Sequence, residues 1–596
     1  MKKWILFLFV LVYSGLSAQH ISSSRIVDWS HAGYPGTIPD SIVVTDITSF
    51  GGVGDGVTDN AVFISNAISS LNGNRGVIYF PPGNFLIQST LNLPDSIILR
   101  GASSDSTHLV FDFGGAVGNC INISGSTNFA FTNVISGINK GSTSLVVSDT
   151  VGFVSGDYIE LQEDNGTWDT QPISWAANSV GQIIPVNSVS GDTLFFSEPL
   201  RIKYDTALNI QVRKFIPAKE VGLECLNMYR RDSVSSGFCV NIYFDHAVNC
   251  WVRGIESSLS IGSHIELDAS SHIEITGSYV HHALAYDGTS THGYGIALNK
   301  HSGECKLENN IMRHLRHSFS LQCGANGNVI AYNYSIDPNR SEPIANLGAD
   351  ISMHGHFSFA NLFEGNIVQN IQLDQTWGPS GPFNTFFRNR AELFGIFMTS
   401  GTVNSDSENF VGNEITNMGF LMGNYTLYGN GHFEYGNNVR GTTTPGGTTS
   451  LTDSSYYLSS VPGFWNAGSF PSIGEPNVFG SGSNPARNRY LSGANFTTCS
   501  ESRIMGIQPD EFSSDDVSVF PNPSHDYLNI EIHHPSGADV RILLTDLLGR
   551  KQIEKKFSTG NSKNIVLNLS GNLSHGIYFL SVQTGKIVDT RKIVLN

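Results

Sequence analysis

Charge is scarce in this chain. Only 14% of its 596 residues are Asp, Glu, Lys or Arg, and the balance is acidic, with a formal net charge of -17. An acidic balance excludes a nucleic-acid partner, which needs a basic face. Cysteine is sparse as well: seven residues, an odd number, with no CxxC pair. That argues against a disulfide framework and against zinc. Cys120, Cys225, Cys239, Cys250, Cys305, Cys323 and Cys499 read instead as small buried hydrophobes, with room for one bridge. No apolar run is long enough to span a bilayer; the longest, at 4–12, falls short.

Glycine, by contrast, numbers 62. With abundant Asn, Ser and Thr, this suits an all-β protein rich in turns and not a helical bundle. The length exceeds one compact core, so several units are expected. Met1-Lys2-Lys3, the apolar run and the small residues ending at Ala18 read as a secretory signal peptide, 1–18. An entry segment follows at 43–118. Between 119 and 215, Gly141-Ser142-Thr143-Ser144-Leu145-Val146 and Gly156-Asp157-Tyr158-Ile159-Glu160 read as short antiparallel strands. This inserted β subdomain is expected to wall one side of a substrate groove. The stretch 216–509 repeats, as a solenoid does, and 510–596 forms a linker and a separate C-terminal unit.

Two resemblances carry fold and address. The first rests on Val519-Phe520-Pro521-Asn522-Pro523-Ser524, Asp546-Leu547-Leu548-Gly549-Arg550 and Gly576-Ile577-Tyr578-Phe579. These resemble the type A sorting domain of the type IX secretion system of Bacteroidota. The resemblance implies handling by that secretion machinery and a secreted or outer cell-surface location. The second rests on Phe50-Gly51-Gly52-Val53-Gly54-Asp55-Gly56-Val57-Thr58-Asp59, followed by a helical pattern (Ala61, Ile64, Ala67, Ile68, Leu71) that Asp59 or Asn60 can cap. Gly76-Val77-Ile78-Tyr79-Phe80-Pro81-Pro82-Gly83 comes next. This stretch resembles the entry of the pectate-lyase-like superfamily, which implies a right-handed parallel β-helix whose open end the helix covers. The same entry precedes lyases, hydrolases and phage tailspikes.

Within the repeats, one strand type carries a recurrent asparagine: Asn310, Asn328, Asn333, Asn361, Asn366, Asn384, Asn389, Asn409 and Asn413. These fit a ladder in which each amide bonds to the next coil. A second strand type alternates aliphatic and polar residues, and period two puts the polar ones outside. Aligned, one outer column reads Asp245, Asp268, Asn299, Gln322, His354, Asp374; its neighbour reads Tyr243, Glu266, Ala297, Ser320, Ser352, Gln372. Coils stack about 4.8 Å apart, so Asp245, Glu266 and Asp268 would crowd together. Unpaired like charges so close require a raised pKa or a cation.

Paired carboxylates suit glycoside hydrolysis, one as acid and one activating water. Glu-x-Asp on one β-helix strand is also similar to the arrangement in iota-carrageenases, which implies Glu266 as acid and Asp268 as base. The expected function is therefore a secreted glycoside hydrolase acting on an anionic, sulfated algal-type polysaccharide, with no cofactor required. Asp245, His354 and His301 complete the catalytic candidates. Tyr243, Asn299, Gln322, Asp374, Trp377 and His292 are the candidates for holding sugar.

A polysaccharide lyase is the alternative. There Asp245, Glu266 and Asp268 would ligate Ca²⁺, and Lys300, His301, Arg313 or His354 would serve the elimination. The His-dense stretch from His281 to Tyr294 reads as a loop covering the site. Arg388 and Arg390 are candidates for binding sulfate or carboxylate. A non-catalytic glycan-binding surface adhesin is the third possibility, since solenoids offer long binding faces.

Overall fold

The computed structural model describes residues 20–39, 43–233, 237–465, 468–499, 517–532, 540–546, 550–557, 563–569, 573–584 and 587–595. The signal peptide and most of the linker lie outside these residues. The chain divides into two units, 1–504 and 505–596.

The first unit is a right-handed parallel β-helix in which the described residues form three faces, one more than the two strand types that alternation picks out. The asparagine-bearing strands make one face, from Val43–Asp46 through Trp251–Arg253 and Leu362–Glu364 to Phe433–Tyr435. A second face holds short strands such as Glu256–Ser260, Tyr279–Ala283 and Ile311–Arg313. The third face carries the aligned columns. Its strands Ile242–Asp245, Ile265–Asp268, Tyr294–Asn299, His317–Leu321 and Ala349–Met353 stack in parallel, and the second half of Ile367–Leu373 follows.

Inward residues form a continuous column. Phe363, Phe386 and Phe410 stack with centroids 4.8 and 5.0 Å apart and nearly parallel rings. At the corners the asparagines form ladders. Asn366 Nδ2 donates to the Ile330 carbonyl at 2.7 Å and to Asn389 Oδ1 at 2.9 Å. Its Oδ1 accepts from the backbone and the side chain of Asn333, both at 3.0 Å. The turn is thus held by a buried amide with every valence used. In the neighbouring ladder, Asn328, Asn361 and Asn384 repeat the pattern, and Glu408 takes the last place.

The helix Ala61–Ser70 covers the first coils, burying Ile64 and Ala67. Its start is capped by Asp59, whose Oδ1 accepts from Ala61 N at 3.1 Å, while Asn60 turns inward to the backbone of Val53. Cys225 and Cys499 are joined, and the other five cysteines are buried and free.

The insert leaves the β-helix after the coil strand Ile121–Ser124, slightly later than the sequence suggests, and returns at Ala218. It is a seven-stranded antiparallel sheet with its own core, including Leu145, Ile159, Leu161, Ile184 and Val212. Buried ion pairs seat it on the coils. Glu160 faces His301 at 3.0 Å, Glu198 faces His272 at 3.2 Å, and Arg201 pairs with Glu304; within the insert, Arg213 backs Glu160 at 2.6 Å.

The C-terminal unit comprises a three-stranded and a four-stranded antiparallel sheet around a core that includes Leu528, Ile530, Ile542, Leu544, Leu580 and Ile593. Among the described residues, no helix is long and apolar enough to cross a membrane.

Candidate active site

The third face is the floor of a groove of about 990 Å³. One wall is built from the loops that enter its strands: Phe238, then Gly288, Ser290 and Thr291, then Arg340 and Glu342. The opposite wall comes from the insert, which delivers Trp175. Asp245, Asp268 and Asn299 are in register, as are Tyr243, Glu266 and Ala297. Leu321 pairs Met353, and Met353 pairs Leu373, which puts Gln322, His354 and Asp374 on the same line. The columns are those expected from alternation.

Glu266 lies at the buried centre of this floor, 4% exposed. Ser263 Oγ bonds its Oε2 at 2.8 Å, and Asn299 Nδ2 donates to its Oε1 at 2.7 Å. Burial, then the charge of Asp268, push its carboxyl up to about 8, against the two hydrogen bonds. Glu266 therefore holds a proton at neutral pH. Asp268, two residues on, is also raised, by burial and by Asp245, with Lys300 and His246 opposing. The Tyr243 hydroxyl donates to its Oδ2 at 3.3 Å, while its buried Oδ1 has no protein partner.

Lys300 follows Asn299 and lines the groove close enough to oppose the Asp268 shift. Among the described residues, no carboxylate pairs with it. The other groove bases are tied down. Arg316 donates to the carbonyls of His292 and Ser290, and Arg340 to those of Ile344 and Pro343. At the far end, His354 Nδ1 lies 3.4 Å from Asp374 Oδ2. Burial opposes ionisation of Asp374, but His354 and Thr376 hold it below the usual carboxylate range. Gln322 and Trp377 line the same groove.

Several expected site residues work elsewhere. His301 is fully buried beneath the insert, with Nδ1 on Glu160 and Nε2 on the Asn178 carbonyl at 2.7 Å, so it cannot reach substrate. It sits two residues past Asn299, the last outward position of its strand, where the chain has turned the corner. Asp245 is in the column but is bound at 2.6 Å to His246 and does not line the groove. Tyr243 acts on Asp268 and not on the open groove. His292 binds Asp287 at 3.1 Å and so folds its own loop. His281 and His282 are not in a loop; they lie on the strand Tyr279–Ala283 of the second face.

Arg388 and Arg390 are buried at the corner opposite the groove. Arg388 donates to the Asp453, Ile473 and Glu475 carbonyls, and Arg390 pairs with Glu414 at 2.8 Å. They fasten Asp453 and the 473–482 segment, so neither meets a glycan. In the acidic set, Asp245 bonds His246, and Glu266 bonds Ser263 and Asn299. Among the described residues, no three His, Cys, Asp or Glu side chains are placed to hold a metal ion.

Sequence reasoning missed Trp175, which stands in a non-repeating insert loop with no periodicity to mark it. It also missed Ser263 and Arg316, which sit at strand entries outside the aligned columns.

Residues 518–596 match the family described as secretion system C-terminal sorting domain. The chain is exported through the type IX system, to be secreted or attached to the cell surface. Residues 44–157 match the family described as rhamnogalacturonase A/epimerase, pectate lyase-like; this covers the β-helix entry and the start of the insert. No curated protein compared with the chain matches it.

Among solved structures, the tailspike gp61 of Pseudomonas phage phi297 is similar at 14% identity and a TM-score of 0.49, over 67% of this chain and 75% of that one. The A-module of the mannuronan C-5 epimerase AlgE6 of Azotobacter vinelandii is similar at 12% identity and 0.34, over 65% and 98%. The surface adhesin PfbA of Streptococcus pneumoniae is similar at 10% and 0.34, over 63% and 79%. These are likenesses of fold alone.

Proposed function

We propose that this protein is a secreted glycoside hydrolase that cleaves an anionic polysaccharide laid along the groove. The observation that carries the reading is Glu266: a buried carboxyl that keeps its proton at neutral pH, two residues from a second carboxyl on an open, walled floor. Side chains two residues apart on a strand are separated by about 6.5–7 Å, enough for a water between acid and base. Glu266 gives its proton to the glycosidic oxygen as the bond from the anomeric carbon breaks. Water bonds that carbon, and its proton passes to Asp268. Tyr243 positions Asp268, and Asn299 positions Glu266.

Lys300 supports an anionic substrate, because a groove ammonium with no carboxylate in direct ion-pair contact among the described residues is free to meet a sulfate or carboxylate. Lys300→Ala is expected to raise KM on a charged polysaccharide by about tenfold, in keeping with one charge-assisted contact, and to lower kcat towards acid pH, because Asp268 loses the charge that opposes its upward shift. An equal KM on the charged polymer and its neutralised form would remove Lys300 from recognition.

The deciding assay incubates the protein with sulfated and uronate polysaccharides and follows reducing ends beside the ultraviolet absorbance of an unsaturated uronate. Reducing ends without absorbance are the expected result. Both rising together would make the protein a lyase. Tight binding without either would make it an adhesin.

A further inference from the structure

We propose that Trp175 and Trp377 form a distal sugar subsite, which makes cleavage depend on several sugar rings beyond the broken bond. The inference rests on the groove being a glycan groove, and it assigns what the far end does.

Two exposed indoles need a reason. Trp175 is 47% and Trp377 36% exposed, and they meet edge-to-face in the groove lining, with centroids 6.2 Å apart and planes at 63°. The two rings make an open corner. One face suits the apolar side of a pyranose, and the second ring closes on its edge. Polar groups beside the corner suit its hydroxyls: Asp374 is ionised, and Gln372 and Thr376 line the same space.

The corner is built rather than accidental. Trp175 belongs to the 3-10 turn Ser174–Ala176, whose Ala176 is buried. Asn165 Nδ2 and Ser179 Oγ both donate to the Ala176 carbonyl, at 2.9 and 2.7 Å. Trp175 also packs edge-on against His356 at 4.9 Å. Trp377 rises three residues after Asp374, where the coil leaves the floor. One indole comes from the insert and the other from the coil, so the corner exists only when the insert is seated.

Distance gives the prediction its form. From Asp268 to Asp374 the column climbs four coils, about 19 Å at the parallel-strand spacing. That is several pyranose rings. Short oligosaccharides reach the acid pair without touching the indoles; longer ones reach both.

The test uses two oligosaccharide series of graded length, from iota-carrageenan and from polygalacturonate. Indole fluorescence of the Glu266→Gln protein reads binding, and kcat/KM of the active protein reads cleavage. Quenching is expected to set in only beyond a threshold length, and to shrink in Trp175→Phe. Trp175→Ala and Trp377→Ala should each lose about tenfold in kcat/KM on long chains and nothing on short ones, with unchanged melting temperature.

Trp175→Phe should recover most of the loss. Equal losses at every length, no loss, or quenching without length dependence in both series would overturn the subsite. Length-dependent quenching in a protein whose Glu266→Gln variant still cleaves would keep the subsite and discard the acid assignment.

Discussion

Replacing Glu266 by Gln is expected to cut turnover by about 10²–10⁴-fold, the usual worth of a general acid, without harming the fold. The protonated carboxyl already behaves as a neutral group. A carboxamide can still take the Asn299 hydrogen bond on its oxygen and give one to Ser263 from its nitrogen. The wild-type rate should fall as pH climbs through about 8, when Glu266 loses its proton.

Stability should move the other way in the variant. A carboxyl raised above its ordinary 4.5 stabilises the fold fully below that value and progressively less as pH rises towards about 8. Above about pH 8 the Gln variant should therefore melt no lower than the parent. A variant that melts early at every pH would make Glu266 structural. One that keeps its rate would remove it from catalysis.

The second large effect is expected at Glu160→Ala. This carboxylate is buried between His301 and Arg213, with His246 Nε2 a further 3.7 Å away. Burial would raise it, but these partners hold it well below the ordinary range. Removing it leaves buried bases uncompensated, at a cost of about 3–5 kcal/mol. Thermal melting should fall by several degrees, and limited proteolysis should cut within 125–217 before the coils. Cleavage of long chains should drop with it, because Trp175 loses its seat.

The clamp also has a pH window. Glu160 contributes fully above its ordinary 4.5 and is lost as pH falls below it. Asp245 and Glu160 overcome burial to push His246 up to about 9, so its contribution is complete below 6.5 and fades as pH rises through about 9. An insert that resists protease equally in both proteins would show that the clamp does not hold it.

Much of this was readable beforehand, for physical reasons. Period two is strict on a flat β-helix face, so one correct residue per coil aligns the whole column, and Asp268, Asn299 and Gln322 fell into place together. The asparagine ladder was readable because each rung needs the same side chain. The second face escaped notice because Ile311–Arg313 and its neighbours are too short to alternate, and that put His281 and His282 in a loop. His301 was misplaced because the corner falls one residue after the column ends. Arg388 and Arg390 look like ligands in the sequence because it does not show that Asp453 and residues 473–482 return to cover them. Trp175 had no repeat to betray it.

The bond between Cys225 and Cys499 spans 274 residues of sequence. Its consequence is mechanical. A protein tethered to a cell surface through its C-terminal end feels drag whenever it holds a polymer. Tension entering behind Cys499 would otherwise peel the last segment from the solenoid and unwind its coils one by one. The sulfur bridge hands that load straight to an early coil at Cys225, so the last segment is not peeled away first and the coils keep their stacking while the tether is taut.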